Sequence, residues 1–285
     1  MEMIDTHLHL LLVEQGLHYP WAIPKGLTRR FQLADYATDA KACGIANMLH
    51  MEVDVAANEI DQETRLIQQL VEDSANGLVG QVAACRPELP NETFYNQLVL
   101  LKNSNRTVRG LRRILHQSPD ELSRSHVFLG NIQLMSDFNY SFDLVVLARQ
   151  LRTVAIPLVY QCPEVSFILD HCGNPLIDSQ NSDFQREWEE NIAILAQFPN
   201  LYCKVSGLVS NAPLNWQVED LQPYFDHIVQ CFGYDRLVWG SDWPVCTLNG
   251  GLEAWVAASL RLAAQATPTE QRKLFSENAK SIYRI

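Results

Sequence analysis

The 285-residue sequence lacks the patterns that mark secreted, membrane and disulfide-stabilised proteins. No uninterrupted apolar run approaches the roughly 20 residues that a membrane helix needs. The first residues, MEMIDTH, show neither the basic segment nor the long apolar segment of a signal peptide. The seven cysteines are scattered without a CxxC pair. We therefore expect free thiols, a reducing compartment and a cytoplasmic location.

Positive charge is also scarce. The chain has 22 Lys and Arg residues against 33 Asp and Glu residues, which gives a formal net charge of -11. A surface of this sign repels phosphate backbones and anionic lipids, so we expect neither nucleic acid nor membrane partners. The 47% of hydrophobic residues is ample for a sizeable core and argues against disorder. No repeat, low-complexity segment or linker is visible, and we expect residues 1–285 to form a single domain.

What the sequence does contain is a repeated alternation of short apolar runs and longer amphipathic stretches. The predicted strands cover residues 3–10, 45–53, 78–85, 108–115, either 131–135 or 141–146, 165–171, 201–208 and 236–242. Eight strand–helix units at this length predict an α/β fold, a (β/α)8 TIM barrel. A doubly wound open sheet is the alternative, but the Gly-rich turn typical of that fold does not follow the first strand.

The segment at about residues 13–33 is too long for a simple turn between a strand and a helix. We interpret it as an elaborated loop over the barrel mouth. Trp21 in this loop is expected either to form part of an apolar lid or to anchor the loop to the barrel.

The most informative residues are polar side chains in or after the apolar runs, where catalytic groups of a barrel lie. His7 and His9 are two residues apart in the first strand, so both should point to the same face. An HxH pair by itself is equally compatible with two structural histidines. Asp170 and His171 end the sixth strand, and their adjacency predicts that only one of them enters the barrel. We favour His171, with Asp170 orienting a neighbour or capping the next turn.

Asp242 gives the sharpest indication, because it ends a strongly apolar run and is followed by Trp243 and Pro244. A carboxylate at a strand end can bind a cation or take a proton from water. A helix N-cap is the alternative interpretation. It is weakened by Pro244 and by the distance to the next helical stretch.

Four further residues are candidates for substrate contacts. Arg112 shares a predicted strand face with His116, and an inward guanidinium is costly unless an anion meets it. Lys204 could contact substrate or extend to the barrel rim. Glu52 could pair with either cation.

HxH in the first strand, LDHCGNP in the sixth, CKVSGL in the seventh and GSDWP in the eighth together resemble the amidohydrolase superfamily. YPW, VRGLRRILH and the terminal ENAKSIYRI narrow the resemblance to the amidohydrolase-2 branch, which includes sugar-lactone and pyrone-dicarboxylate lactonases. The resemblance implies a TIM-barrel hydrolase that opens a lactone ring. It implies a core site of His7, His9, His171 and Asp242, and substrate contacts from Arg112, Lys204, Glu52 and Trp21.

The fifth strand has neither the histidine nor the lysine found in metal-rich superfamily members, so a binuclear centre is not expected. The resemblance leaves open one divalent ion, zinc on His7, His9 and Asp242, or catalysis without metal. We assign Asp242 as general base, with the imidazoles or their ion polarising the carbonyl.

Other functions remain as alternatives: a zinc-dependent decarboxylase, an amide or phosphoester hydrolase with two metals, and a non-catalytic barrel that binds a sugar acid. The expected partner is a small-molecule lactone. The sequence leaves the identity of the lactone and a homo-oligomeric state open.

Overall fold

The computed structural model describes residues 2–27, 31–73, 76–177 and 182–285. Eight strands form one parallel sheet in which neighbours follow the chain order, β1-β2-β3-β4-β5-β6-β7-β8. The strands are β1 Met3–Leu8, β2 Ile45–Met51, β3 Leu78–Ala84, β4 Val108–Ile114, β5 Ser141–Val145, β6 Phe167–Leu169, β7 Leu201–Val205 and β8 Leu237–Trp239. The structure confirms the predicted (β/α)8 barrel.

The barrel closes where β1 meets the residues that follow β8. Leu8 pairs with Trp243 as a parallel bridge. The His9 amide donates to the Trp243 carbonyl at 2.7 Å, and the Asp242 amide donates to the His7 carbonyl at 2.9 Å. These bonds place the first-strand histidines beside Asp242, although the chain separates them by almost its whole length.

The fifth strand is the second of the two predicted alternatives, Ser141–Val145. Residues 131–135 instead belong to the C-terminal part of α4 and its C-cap. The Ser125 side chain caps that helix by accepting a hydrogen bond from the Phe128 amide. Phe128 and Ile132 are buried one turn apart, so helical periodicity explains an apolar run that also resembles a strand.

Helices surround the sheet and bury their apolar faces against it. They are α1 Leu33–Ala42, α2 Ile60–Glu72, α3 Asn91–Ser104, α4 His126–Leu134, α5 Ile156–Gln161, α6 Ser182–Leu195, α7 Val218–Phe232, α8 Leu252–Leu262, α9 Pro268–Arg272 and α10 Asn278–Tyr283. None of the helices in the described ranges combines the length and apolarity required to cross a bilayer.

The barrel interior has an aliphatic layer at its amino end. Its members include Ile4, Leu49, Val82, Ile168 and Val238, each at most 1% exposed. Residues Ala279, Ile282 and Tyr283 of α10 pack against this layer. Burying each such side chain contributes about 1.5–3 kcal/mol. Buried polar side chains lie next to this aliphatic layer, toward the carboxyl ends of the strands.

The connection between β1 and α1 contains short 3-10 turns at Val13–Gln15 and Lys25–Leu27, and its residues 28–30 lie outside the described ranges. The Trp21 indole donates to the Val53 carbonyl at 2.9 Å. This bond ties the loop to the segment after β2, so Trp21 both anchors the loop and lines the cavity beneath it.

Candidate active site

A cavity of about 640 Å³ opens at the carboxyl ends of the strands, where TIM-barrel enzymes carry their active sites. Its walls are largely apolar, with contributions from Leu11, Trp21, Val53, Leu147, Leu176 and Phe184. Its polar lining includes His9, Arg112, His116, His171, Asn211 and Asp242. Of the residues predicted from sequence, His7, Glu52 and Lys204 are not among the described lining residues and lie beneath it.

Two imidazoles meet at the end of β1. His7 Nε2 and His9 Nε2 are 3.1 Å apart, as the alternation of side chains along a strand predicts. His9 Nδ1 donates to the Met51 carbonyl at 2.9 Å, which leaves a lone pair on Nε2 of the neutral ring. Burial, helped by the Arg112 cation, lowers the pKa of His9 to about 3. Burial also lowers the pKa of His7 well below its usual value. Both rings are therefore neutral at physiological pH.

Asp242 faces these imidazoles. Its Oδ1 is 3.7 Å from His9 Nε2 and 3.9 Å from His7 Nε2. Its Oδ2 accepts a hydrogen bond from Ser210 Oγ at 3.3 Å. Burial raises the pKa of this carboxyl group. Asp242 is thus a more basic carboxylate than one in water, at the edge of a cavity that can hold a substrate.

The prediction that only one of Asp170 and His171 enters the barrel is wrong. β6 ends at Leu169, and the backbone then turns into the left-handed region, with φ of 56° at His171. Because strict alternation stops there, Asp170 points into the barrel interior and His171 lines the cavity above it. Asp170 Oδ1 is 3.4 Å from His7 Nδ1, which agrees with the expected role of orienting a neighbour.

Strained backbone marks this end of the barrel. Asp54, His171 and Asp242 have φ values of 48°, 56° and 57°. Left-handed conformations of non-glycine residues cost about 1–3 kcal/mol each and cluster at functional sites. Here they turn polar side chains toward the cavity at the carboxyl ends of β2, β6 and β8.

Two glycines allow the imidazoles to sit where they do. A Cβ at Gly240 would approach His7 Cβ to 2.7 Å, and a Cβ at Gly207 would approach His171 Cβ to 2.7 Å. Contacts this short do not occur between real side chains, so each position requires glycine. This steric requirement explains the glycine in each of the GSD and SGL motifs.

Ser206 holds the third imidazole. Its hydroxyl accepts a hydrogen bond from the His171 amide at 3.3 Å and lies 3.0 Å from His171 Nδ1. Burial lowers the pKa of His171, so the ring is neutral. A hydroxyl that already accepts from the amide can donate its own proton to Nδ1, which leaves the Nε2–H as the donor of the ring.

Arg112 is clamped on two sides. Its Nε donates to Glu52 Oε1 at 2.7 Å, and its Nη2 donates to the Glu52 carbonyl at 2.6 Å. Its Nη1 lies 3.4 Å from both Asp170 Oδ2 and His7 Nε2. Burial favours a neutral Glu52, but Arg112 outweighs it and lowers the pKa of that carboxyl group. Glu52 therefore pairs with Arg112, one of the two partners predicted for it.

Lys204 does not extend to the barrel rim. It is 0% exposed, and its Nζ lies 2.6 Å from Asp143 Oδ1 and 2.9 Å from Asp170 Oδ1. Although burial opposes the charged form, these carboxylates raise the pKa of Lys204. Asp143, on β5, was not predicted from the sequence, because its partner Lys204 is 61 residues away along the chain.

We call the buried charged side chains beneath and beside the imidazoles the polar layer. Within the described ranges it consists of four carboxylates, Glu52, Asp143, Asp170 and Asp242, and two cations, Arg112 and Lys204. With all six groups ionised, the polar layer has excess negative charge. Ligand atoms of His7, His9 and Asp242 lie within 4.8 Å of one another. Two nitrogens on one tetrahedral Zn²⁺ are roughly 3.3 Å apart, which is close to the observed imidazole spacing. The donor set fits a divalent cation in both charge and spacing.

Comparison with known proteins places the fold in a family. The family model described as Amidohydrolase matches residues 4–285. An L-fucono-1,5-lactonase of Burkholderia multivorans is 28% identical over 291 residues, 92% of this chain and 91% of that protein. An L-fucono-1,5-lactonase of Burkholderia ambifaria is 31% identical over 182 residues, 62% of this chain and 61% of that protein.

A crystal structure of an amidohydrolase from Burkholderia multivorans with bound zinc has the same fold, with a TM-score of 0.87, 24% identity and full coverage of both chains. The match of the family model over nearly the whole sequence confirms the resemblance seen in the motifs. The protein belongs to the amidohydrolase family.

Proposed function

We propose that this protein hydrolyses the lactone ring of a neutral, sugar-like substrate. The observation that carries the proposal is the convergence of His9, His171 and Asp242 on one cavity, with His7 beneath it in contact with these groups. The lactonases among its relatives support this reaction class. Ring opening needs a base for water, a donor for the carbonyl oxygen and a proton for the leaving alkoxide.

Asp242 is the proposed base. Asp242 lines the cavity beside the imidazoles, where its carboxylate can reach a water molecule, and without an ion burial raises the pKa of this carboxyl group. Once it has taken a proton from the attacking water, the same carboxyl group returns it to the alkoxide. A single residue thus serves both steps, and the ring opens without net consumption of a proton by the enzyme.

His171 is the proposed donor for the carbonyl oxygen. Ser206 fixes the ring so that Nε2–H is available on the side of the cavity. One such preorganised donor contributes about 3 kcal/mol to stabilisation of the transition state. Because burial keeps the ring neutral, it donates a hydrogen bond without first losing or gaining charge.

We further propose one divalent cation, zinc, held by His7, His9 and Asp242, whose donor atoms lie within 4.8 Å of one another. The related structure from Burkholderia multivorans is described with bound zinc. Such an ion would polarise the carbonyl and lower the pKa of the attacking water. Excess negative charge in the polar layer supports a cation here over catalysis without one.

The charge of the lining favours a neutral substrate, because among the described lining residues Asp54 and Asp242 balance Arg112 and Arg149. Glu52 and Asp170 already satisfy the guanidinium of Arg112, and Lys204 is paired beneath the cavity, so neither is free to clamp an additional carboxylate. His116 and Asn211 can form hydrogen bonds with hydroxyl groups, while Trp21 offers an apolar face for a sugar ring. We therefore expect aldonolactones to be better substrates than lactones with two carboxylates.

The experiment is a proton-release assay on neutral 1,4- and 1,5-aldonolactones, with a pyrone dicarboxylate and an aldarolactone as anionic comparisons. We expect turnover of at least one neutral lactone, loss of turnover on chelation and recovery with one equivalent of Zn²⁺. Release of CO2 from an aromatic acid, without lactone opening, would instead identify a decarboxylase. Binding of sugar acids without turnover of any lactone would identify a non-catalytic barrel.

A further inference from the structure

A tyrosine from the opposite end of the barrel reaches the charged groups under the active site. Tyr283 is the last residue of α10, and its side chain is 0% exposed. It lies against the aliphatic layer at the amino end of the barrel, and its hydroxyl donates to Asp143 Oδ1 at 2.7 Å. A buried phenol needs such a partner, because an unpaired hydroxyl in an apolar layer is costly.

From this hydroxyl a continuous set of polar contacts leads to the first imidazole. Asp143 Oδ1 also contacts Lys204 Nζ at 2.6 Å. Lys204 Nζ contacts Asp170 Oδ1 at 2.9 Å, and His7 Nδ1 lies 3.4 Å from Asp170 Oδ1 and 3.3 Å from Lys204 Nζ. We call Tyr283, Asp143, Lys204, Asp170 and His7 the buried polar column. All five side chains are fully buried, so water does not screen the interactions within it.

The position of Lys204 within this column depends on a balance between two carboxylates. Tyr283 donates a hydrogen bond to Asp143 Oδ1, the same oxygen that Lys204 contacts. The hydroxyl proton offsets part of the negative charge of this oxygen and so weakens its attraction for the Lys204 ammonium. Without the hydroxyl, Asp143 holds the ammonium more strongly. The attraction between Lys204 and Asp170 is then weaker. Asp170 therefore interacts more strongly with the other donors near it, which include His7.

We propose that Tyr283 is a positioning residue, whose hydroxyl sets how Lys204 is shared between Asp143 and Asp170 and thereby fixes the orientation and proton position of the His7 ring. The proposal rests on the function proposed above, because His7 matters for turnover only if the cavity is catalytic. Tyr283 is not among the described residues that line the cavity.

The test is Tyr283→Phe, which keeps the ring and removes only the hydroxyl. Substitution of residues that orient metal-ligating histidines typically costs 10–100-fold in affinity or activity. We expect kcat for a neutral aldonolactone to fall about 10-fold, with KM changed less than twofold, and Zn²⁺ affinity to fall about 10-fold. The ¹⁵N signals of the His7 imidazole should shift in the metal-free protein.

Tyr140→Phe is the matched control. Tyr140 is also buried, and within the described residues its hydroxyl forms no hydrogen bond. This variant should leave kcat, Zn²⁺ affinity and the His7 signals unchanged. Unchanged values of all three in Tyr283→Phe would overturn the proposal, and so would equal effects of the two variants.

A double substitution separates positioning from packing. If Tyr283 acts through Asp143, the Tyr283→Phe and Asp143→Asn effects on kcat and on Zn²⁺ affinity will be non-additive, and the double variant will resemble Asp143→Asn alone. Additive effects would overturn the proposed route. If the wild type opens no lactone, the proposed function fails, while the His7 signals and Zn²⁺ affinity still decide the role of Tyr283.

Discussion

Replacing Lys204 with methionine tests whether the charges below the cavity are paired as the structure shows. Methionine keeps most of the side-chain volume, so the change removes the ammonium and its contacts at 2.6 Å to Asp143 and 2.9 Å to Asp170. Breaking a buried ion pair from one side costs about 3–5 kcal/mol, because the remaining charge stays buried. With ~2.1 cal/mol/K of unfolding entropy per residue over 285 residues, this cost lowers Tm by about 5–8 °C.

The loss should depend on pH in a defined direction. Burial, only partly opposed by Lys204, raises the pKa of Asp143 from 3.8 to about 6. The folded protein therefore binds the Asp143 proton more tightly than the unfolded chain, and this group contributes stability below about pH 4 that is lost as pH rises through 6. Without Lys204 the pKa rises further, so the variant should be destabilised more at pH 8 than at pH 5.

Differential scanning calorimetry of both proteins at pH 5 and pH 8 measures this effect. Lys102→Met is the control. Lys102 is exposed, donates to the Phe138 carbonyl and lies 5.7 Å from the centre of the Tyr140 ring, and substitutions at such sites change stability by less than about 0.5 kcal/mol. A Lys204→Met protein with wild-type Tm at pH 8 would refute the reasoning. A larger loss of Tm at pH 5 than at pH 8 would refute it as well.

Three further substitutions test other parts of the site. Ser206→Ala removes the partner of His171 Nδ1, and we expect kcat to fall about 10-fold with little change in Tm, measured by steady-state kinetics and calorimetry. Gly240→Ala places a Cβ 2.7 Å from His7 Cβ, and we expect urea titrations to show a free energy of unfolding lower by about 1–3 kcal/mol. Gly233→Ala is the control: no atom lies within 4 Å of its Cβ, so only backbone strain lowers the free energy of unfolding. His9→Gln removes one proposed ligand atom and should abolish stoichiometric Zn²⁺ binding in metal analysis.

Much of the fold follows from local patterns in the sequence. Alternating apolar runs and amphipathic stretches are the direct consequence of a buried parallel sheet covered by helices, and they predict the barrel. The same patterns leave the fifth strand undecided, because residues 131–135 are apolar enough for a strand yet lie at the end of a capped helix. Only packing of that helix against the sheet decides between the two.

The site is predictable in part for a similar reason. His7 and His9 follow from strand periodicity, and Asp242 follows from its place at the end of an apolar run. Asp170 and His171 do not, because β6 ends one residue before them and positive φ values replace alternation. The role of Lys204 depends on Asp143, 61 residues away, and a pairing over that distance has no local signature.

The central claim is that Asp242 moves the proton when a lactone ring opens, and proton release by Asp242→Asn tests it most directly. Asparagine keeps the shape but cannot accept a proton, so kcat/KM for a neutral aldonolactone should fall by about 10²–10⁴-fold. Asp235→Asn, on an exposed acid that pairs with Lys273, should retain wild-type activity. A folded Asp242→Asn protein with near-native lactone turnover would contradict the account.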